Sequence, residues 1–397
     1  MTSASSPPRL EVVSLGCRLN IAESETIRRS LSPDEDVVIV NSCSVTNEAV
    51  RQTRQTIRRL RRARPDARLL VTGCAAQTDR ETIAAMPQVD GIVPNAAKLD
   101  PRVWNIAKKA KAPLVAHTRA FIGVQTGCDH ACTFCSIPAA RGKSRSQSID
   151  AVLRDVEEHL AAGAREIVLT GVDLTNWGQD MGTRVGLGRL VQSILDTFPT
   201  LPRLRLSSLD GVEIDPLLTE LIAAEHRVMP HLHLSLQHGD DLILKRMKRR
   251  HTRAQAVKLV EGLKRDCPDI AIGADLIAGF PTETDAHHAQ NLSIIRELDI
   301  VHGHVFPFSP RDNTPASRMP QTAREIVKSR ATELREAVRD VRRSWMEGQI
   351  GRPQPILVER GGTGYTPNYA RVRAPEGSRP NDILTVTPIA IEEGILV

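Results

Sequence analysis

Aromatic residues are scarce, with six Phe, three Trp and two Tyr among 397 residues. Base stacking on a broad aromatic platform is therefore excluded. No run of eighteen or more apolar residues occurs, so no membrane-spanning helix is expected. The opening MTSASSPPRLEVV has no apolar signal core, which leads to the expectation of a cytoplasmic chain. Cysteine is limited to seven positions, and in a reducing compartment these do not form a disulfide framework. Metal ligation and plain burial remain as their roles. Acidic residues are outnumbered, 47 against 53 basic, giving a formal charge of +6. That balance favours a polyanionic partner. The length suits two or three domains.

Three apolar runs in the first hundred residues each end in a cysteine: RLEVVSLGC at Cys17, DVVIVNSC at Cys43 and ARLLVTGC at Cys74. Helical spacing separates them, and VDGIVPN reads as a fourth strand. Strand–helix alternation implies a parallel sheet with right-handed crossovers. The carboxyl ends of such strands share one edge, where open α/β sheets bind ligands. Cys17, Cys43 and Cys74 should therefore converge, although free cysteines are also commonly buried as packing.

A terminal helix and linker are expected over 101–117. A second alternating series starts at residue 119. Its strands are AFIGVQTG, REIVLTGVD, RLRLSS, HLHLSLQ, AIGADLIAGF and VHGHVFPFS. Helices are expected at 148–162, 186–198, 215–227, 241–265 and 284–297. Six units suit a partial (β/α)6 barrel rather than the full eight. A long charged helix is expected over 321–347. From about residue 350 the short runs broken by Gly, Pro and Asn read as a small all-β barrel.

The stretch GCDHACTFC places Cys128, Cys132 and Cys135 within eight residues, just after the first strand of the second series. Three thiolates suit a 4Fe–4S cluster with one iron left open. A structural zinc would need a fourth ligand, and His130 is awkwardly placed between two of the cysteines to supply it.

This CxxxCxxC after a first strand resembles the radical S-adenosylmethionine superfamily. There the open iron chelates the cofactor, and reductive cleavage yields a 5′-deoxyadenosyl radical. The segments LGCRLNIAES, VNSCSVTNEA and VTGCAAQ resemble the methylthiotransferase N-terminal domain, whose matching cysteines hold a second, auxiliary 4Fe–4S cluster. The tail resembles a TRAM domain, an RNA-binding barrel, though it is short for one. The resemblance covers nearly the whole chain. It implies three domains, 9–105, 115–345 and 348–397, and an α/β architecture.

GCDHACTFCSIPAARG, LTGVDLTNWG, HLHLSLQHGDDLILKRMKRRHT and HVFPFSPRDNTPAS look most like the branch acting on threonylcarbamoyladenosine at position 37 of tRNA. The isopentenyladenosine branch usually has Gly-Gln-Asn where this chain has Gly171-Val-Asp173, and Trp177 stands where Tyr is more usual. The expected reaction is methylthiolation of adenine C2, with tRNA as partner and a flavodoxin- or ferredoxin-type electron donor. Rival readings are the same chemistry on isopentenyladenosine or a ribosomal-protein aspartate, and a non-catalytic RNA-binding module with structural metal.

By position in the superfamily, Phe134 meets the adenine and Gly171 the methionine end of the cofactor. Ser208 and Gln237 end the third and fourth strands and are candidate cofactor contacts. Asp275 lies within a strand, and GFPTET at 279–284 follows the fifth. His231 and His233 share a strand face. Cys267 reads as a structural thiol. The run 51–64 carries seven arginines, among them Arg54, Arg58 and Arg61. With Arg249 in LKRMKRRHTR, and Tyr369 and Arg371 in the tail, it supplies the candidate RNA contacts.

Overall fold

A computed structural model describes residues 9–32, 34–106, 114, 117–182 and 185–397. The expected helix over 101–117 appears only as a 3-10 turn at Pro101–Trp104, and 107–113, 115 and 116 lie outside the described residues.

The N-terminal part is a parallel sheet in the order β1 (Leu10–Ser14), β2 (Val37–Ser42), β3 (Arg68–Gly73) and β4 (Gly91–Ile92). Helix α1 (Arg18–Ser30) follows β1, and α2 (Asn47–Ala63) follows β2. Two short helices, α3 (Cys74–Thr78) and α4 (Arg80–Ala84), follow β3. All six residues of β2 are buried, as expected of a central strand covered on both faces. On α2 the apolar Val50, Ile57 and Leu60 lie inward with Thr53, while the arginines take the outer face.

The central part has six parallel strands in two half-sheets. One half-sheet is β5 (Arg119–Gly123), β8 (Glu166–Thr170) and β9 (Arg203–Leu206). The other is β10 (His231–Gln237), β11 (Ala271–Ala278) and β12 (Ile300–Pro307). Isolated bridges, Leu204 with Val228 and Leu209 with Leu234, join the halves beside the four-residue β9. A small hairpin, β6 (Gln125–Thr126) with β7 (Arg145–Ser146), carries the cysteine loop. Helices α5 (Ile137–Arg141), α6 (Ile149–Ala161), α7 (Leu187–Thr197), α8 (Pro216–Ala224), α9 (Asp241–Arg246), α10 (Arg253–Asp266), α11 (Asp285–Glu297) and α12 (Arg324–Glu347) complete this part.

The single helix expected over 241–265 is two. Lys248 turns the chain at φ 57°, and Thr252 restarts it with a reciprocal cap to Gln255.

Strand alternation sorts the barrel residues. Leu232, Leu234, Leu236, Ile272, Ala274 and Leu276 pack outward in the main core with the helices. The intervening inward positions include Arg119, Glu166, Arg203, Arg205, His231, His233, Asp275, His302 and His304. Barrel interiors of this kind are usually filled with branched apolar residues, so this lumen is unusually polar.

The C-terminal sheet has the order β16 (Ile383–Val386), β13 (Gln354–Val358), β14 (Thr363–Tyr365), β15 (Arg371–Arg373), β18 (Ile395–Leu396) and β17 (Ile391–Glu392). It packs around Ile356, Val358, Val372 and Leu396, with Met346 from α12. Barrel arginines dock it: Arg203 donates to Tyr365 O and Pro355 O at 2.8 Å each, and Arg205 to Pro367 O at 3.1 Å.

Candidate active site

The three cysteines lie just past the strand ends, Cys43 and Cys74 directly after β2 and β3 and Cys17 three residues after β1, where it caps α1. Gly16 and Gly73 precede Cys17 and Cys74 at φ 93° and 94°, a region that favours glycine. A Cβ at Gly16 would lie 2.6 Å from the Cys43 sulfur, and one at Gly73 would lie 2.4 Å from Ser42 O. Glycine is therefore required for the close approach of these strand ends. Cys17 keeps solvent exposure although protein crowds around it, so it lines a crevice rather than an outer surface.

Behind this triad lies a buried charge network. Arg141, from α5, donates to Glu23 Oε1 at 2.8 Å and to Asn20 Oδ1 at 2.6 Å. Lys98 Nζ lies 2.6 Å from Glu23 Oε2 and donates to Asn41 Oδ1 at 3.2 Å. Two cations and one carboxylate leave a net positive charge under the thiols. Burial raises the Cys17 thiol and pushes Cys43 up to about 11, while Arg141 opposes both shifts. Thiols of this kind are metallated with loss of a proton.

The second triad sits on one loop. Gly127 precedes Cys128 at φ 76°, and a Cβ there would fall 1.9 Å from Lys143 O. Thr133, between Cys132 and Cys135, is held from outside the loop. Its N–H donates to Met247 O at 3.1 Å and its hydroxyl to Arg246 O at 2.9 Å. These are carbonyls at the end of α9, so the helix break after Arg246 clamps the cysteine loop. Ala316 N–H donates to Thr133 O at 2.9 Å. Arg249 Nη1 lies 3.7 Å from Cys132 Sγ, and its Nη2 donates to Asp210 at 2.8 Å. Burial pushes Cys135 up to about 11 and raises Cys128 further, with Asp173, 3.6 Å from the Cys128 sulfur, adding to the latter. His130 sits beside Cys128 in a mixed group: its Nε2 lies 2.9 Å from Asp173 and 3.5 Å from Glu213, and the donor atoms of Cys128, His130 and Asp173 lie within 4.8 Å of one another.

The two triads face each other. Helix α3, which starts at Cys74, packs on α5, which starts two residues after Cys135. Asn95 Nδ2 lies 4.0 Å from the Cys74 sulfur. Asn95 bridges the same boundary, donating to Ala140 O at 2.7 Å.

The donor sets fit iron–sulfur clusters better than single ions. Zinc–sulfur bonds of about 2.3 Å draw thiolates to roughly 3.8 Å of one another. Among the described residues, neither triad gathers its three sulfurs within 4.8 Å. Three cysteines per site, each site wider than one ion needs, match a cluster with one iron free for a non-protein ligand.

The other expected positions divide into two groups. Phe134 is half-buried against Ile243, Met247, Ile277 and Phe280. Gly171 lies against Gln125, whose Oε1 accepts from the Val172 and Asp173 N–H groups at 3.0 and 2.9 Å. Ser208 is half-buried just past β9, and Gln237 ends β10 in a left-handed conformation at φ 69°. These four stand at the carboxyl ends of barrel strands or on the cysteine loop. Arg249 belongs with them, beside Cys132 rather than on an RNA-facing surface.

Two other expected RNA contacts are occupied by protein. Arg61 donates to Gln88 O, Pro65 O and Ala67 O and pairs with Asp90. Tyr369 is enclosed by Arg18, Arg119 and Arg205 and stacks on Tyr365 at 4.8 Å. Its hydroxyl accepts from Arg119 Nη1 at 2.7 Å. Arg58 and Arg371 are exposed and Arg54 is half-buried. Sequence reasoning missed Glu23, Lys98, Arg141, Gln125 and the Thr133 clamp. Only the fold shows that these ordinary polar residues are buried together.

A partial parallel barrel with an open three-thiol loop after its first strand, faced by a second three-thiol site, has the arrangement expected from the resemblance to radical enzymes with an auxiliary domain. Two family profiles match: the radical SAM superfamily over residues 122–293, and the uncharacterized protein family UPF0004 over 9–94. The threonylcarbamoyladenosine tRNA methylthiotransferase MtaB of Rickettsia prowazekii is 40% identical, covering 98% of this chain and 96% of its own length. The tRNA-2-methylthio-N(6)-dimethylallyladenosine synthase of Paracoccus denitrificans is 32% identical over 88% and 86%. Among solved structures, the radical S-adenosylmethionine methyltransferase TsrM from Kitasatospora setae, with cobalamin and a [4Fe-4S] cluster bound, is similar in fold. Its TM-score is 0.53 at 15% identity, over 75% of this chain and 66% of that one.

The chain belongs to the radical S-adenosylmethionine methylthiotransferase family. Its radical SAM domain takes S-adenosylmethionine as cofactor.

Proposed function

We propose that this protein adds a methylthio group to C2 of N6-threonylcarbamoyladenosine at position 37 of tRNA. The observation that carries the reading is the packing of α3, which starts at Cys74, on α5, which starts two residues after Cys135. It supports a shared site for the two triads, as sulfur transfer between them requires. The name borne by the Rickettsia prowazekii relative supports the substrate. When bound, S-adenosylmethionine and the clusters supply the radical and the sulfur.

The chain's own residues hold and shield that chemistry. Cys17, Cys43 and Cys74 hold the auxiliary cluster, and Cys128, Cys132 and Cys135 the cofactor-binding one. Arg141 and Arg249 each place positive charge beside one triad. Phe134, Gly171, Ser208 and Gln237 border the cofactor. The working units are 9–105, 115–345 and 348–397, the last contacting RNA in the manner of a TRAM domain. Arg54 and Arg58 on α2 and Arg371 on β15 offer phosphate contacts. The electron donor is of flavodoxin or ferredoxin type, and the enzyme works in the cytoplasm. Among the described residues no helix is long and apolar enough to cross a membrane.

Mass spectrometry of nucleosides from bulk tRNA, with and without the gene, tests the reading. Loss of the 2-methylthio form of threonylcarbamoyladenosine with a rise in its precursor is expected. An unchanged level, with loss of the isopentenyl counterpart, would assign the other tRNA branch, to which the Paracoccus denitrificans relative's name belongs.

A further inference from the structure

Three barrel side chains form a polar cluster that the cluster-binding machinery does not use. His233 Nε2 and His304 Nδ1 each lie 3.1 Å from the same oxygen, Asp275 Oδ1. They come from β10, β11 and β12, and Asp275 and His304 are register partners. The cluster is built for its place. Gly273 lies against the His233 ring, and a Cβ there would come within 2.4 Å of Nδ1. Burial alone would raise the Asp275 carboxyl, but the two histidine hydrogen bonds outweigh it and hold the group well below the usual carboxylate range. Asp275 is thus an anion accepting from both rings.

The cluster is open on one side only. The His233 side chain is 7% exposed and Asp275 21%, but His304 is 62% exposed although it is an inward position of its strand. With Nδ1 committed to Asp275, Nε2 of His304 is the nitrogen left to meet a ligand. The next inward residue toward the carboxyl end is Phe306, 6.4 Å from His304 between ring centroids. Phe306 packs in one apolar group with Phe134 of the cysteine loop, Ile277 and Phe280. The His–Asp cluster therefore lies one side-chain layer below the loop that holds the cofactor-binding triad. A base presented at that loop would extend its substituents into this layer.

We infer that His304, held by Asp275 and His233, is the subsite that binds the carboxylate of the threonylcarbamoyl substituent. The inference rests on the proposed function above. An imidazole is the side chain that can donate from two ring nitrogens in opposite directions. His304 would then bridge two carboxylates, Asp275 and the ligand's, through its two nitrogens. An isopentenyl group offers neither charge nor hydrogen bond and would strip water from the open nitrogen without replacing it. The subsite thus separates the two adenosine substituents, and His304 is a specificity residue rather than a catalytic one.

The test uses anaerobically reconstituted enzyme and anticodon stem-loops carrying threonylcarbamoyladenosine, its carboxamide analogue or isopentenyladenosine. Wild-type enzyme should favour the carboxylate over the carboxamide in kcat/KM by roughly 10- to 100-fold. His304→Gln should bring that ratio close to one, with the loss falling on the carboxylate substrate, and stem-loop affinity should follow the same pattern. Asp275→Asn should narrow the ratio in the same direction. A ratio that survives in both variants, or an equal fall on both substrates, would overturn the subsite while leaving the proposed function intact. Wild-type turnover of the isopentenyl stem-loop alone would overturn the function and the subsite together.

Discussion

The two cysteine triads reach similar donor sets by opposite routes. Cys17, Cys43 and Cys74 are far apart in sequence and meet because three parallel strands end on one edge. Cys128, Cys132 and Cys135 are close in sequence, but their loop is positioned by distant residues: Met247, Arg246 and Ala316 clamp Thr133. The first site is as rigid as its sheet. The second depends on the barrel's later units having folded. Their charges differ too. The strand-end triad is backed by Arg141, Lys98 and Glu23, whereas the loop triad has Arg249 on one side and Asp173 on the other. A site assembled by topology can be placed deep with a buried charge network behind it, while a site on a loop must be stabilised by clamps.

The comparison breaks most visibly at the ligands. Alanine at Cys128, Cys132 or Cys135 should abolish cleavage of S-adenosylmethionine. Alanine at Cys17, Cys43 or Cys74 should leave cleavage and stop sulfur insertion, both followed by chromatography of deoxyadenosine and the modified nucleoside.

Next in size are the glycines. Gly127→Ala and Gly73→Ala each force a left-handed residue into a backbone clash. Each should cost on the order of 3 kcal/mol or more in urea unfolding. If the loop is the softer site, Gly127→Ala should give the smaller loss of the two.

The charge network behind the strand-end triad should be visible in acid. Burial alone would raise the Glu23 carboxyl, but Lys98 and Arg141 outweigh it and hold it below its ordinary value of 4.5. A depressed folded value stabilises above the ordinary range and is lost as pH falls through the folded value. Wild-type Tm should therefore fall steeply below pH 4.5, and Glu23→Gln should be less stable at neutral pH but flatter in that window. Parallel curves for the two proteins would show that the network adds nothing to folding.

The smallest effect concerns Arg249, whose guanidinium lies beside the Cys132 sulfur. Arg249→Met should lower the midpoint potential of the loop-bound cluster by on the order of tens of millivolts, because charge and hydrogen bonds at the sulfurs tune it. The auxiliary cluster should not move in that variant, and Arg141→Met should give the converse, read by potentiometric titration with EPR.

Much of the site was legible because strand period and termini carry it. An apolar run ending in Gly-Cys, as at Cys17 and Cys74, shows both the strand and the edge on which the thiol sits. The barrel's six strands followed from the same alternation. The break in the 241–265 helix was not legible, since a left-handed Lys248 has no propensity signal, yet that break supplies the carbonyls that hold Thr133. Charges misled in both directions. Arg61 and Tyr369 look like surface RNA contacts in sequence but are occupied by Asp90 and by the Arg18–Arg119–Arg205 cage. Arg141, which the motif GCDHACTFCSIPAARG contains but does not single out, is buried beside the strand-end triad. Burial of a long cation depends on partners distant in sequence, and here Glu23 precedes Arg141 by more than a hundred residues.

EPR of the anaerobically reconstituted and reduced enzyme tests most directly whether the two triads hold separate clusters facing one cavity. Two paramagnetic clusters that face each other should broaden one another's signals. Triple alanine replacement of either triad should remove the broadening and leave one sharp cluster spectrum. A wild-type spectrum equal to the simple sum of the two variants' spectra would contradict the facing arrangement, and with it the shared cavity on which the proposed sulfur transfer depends.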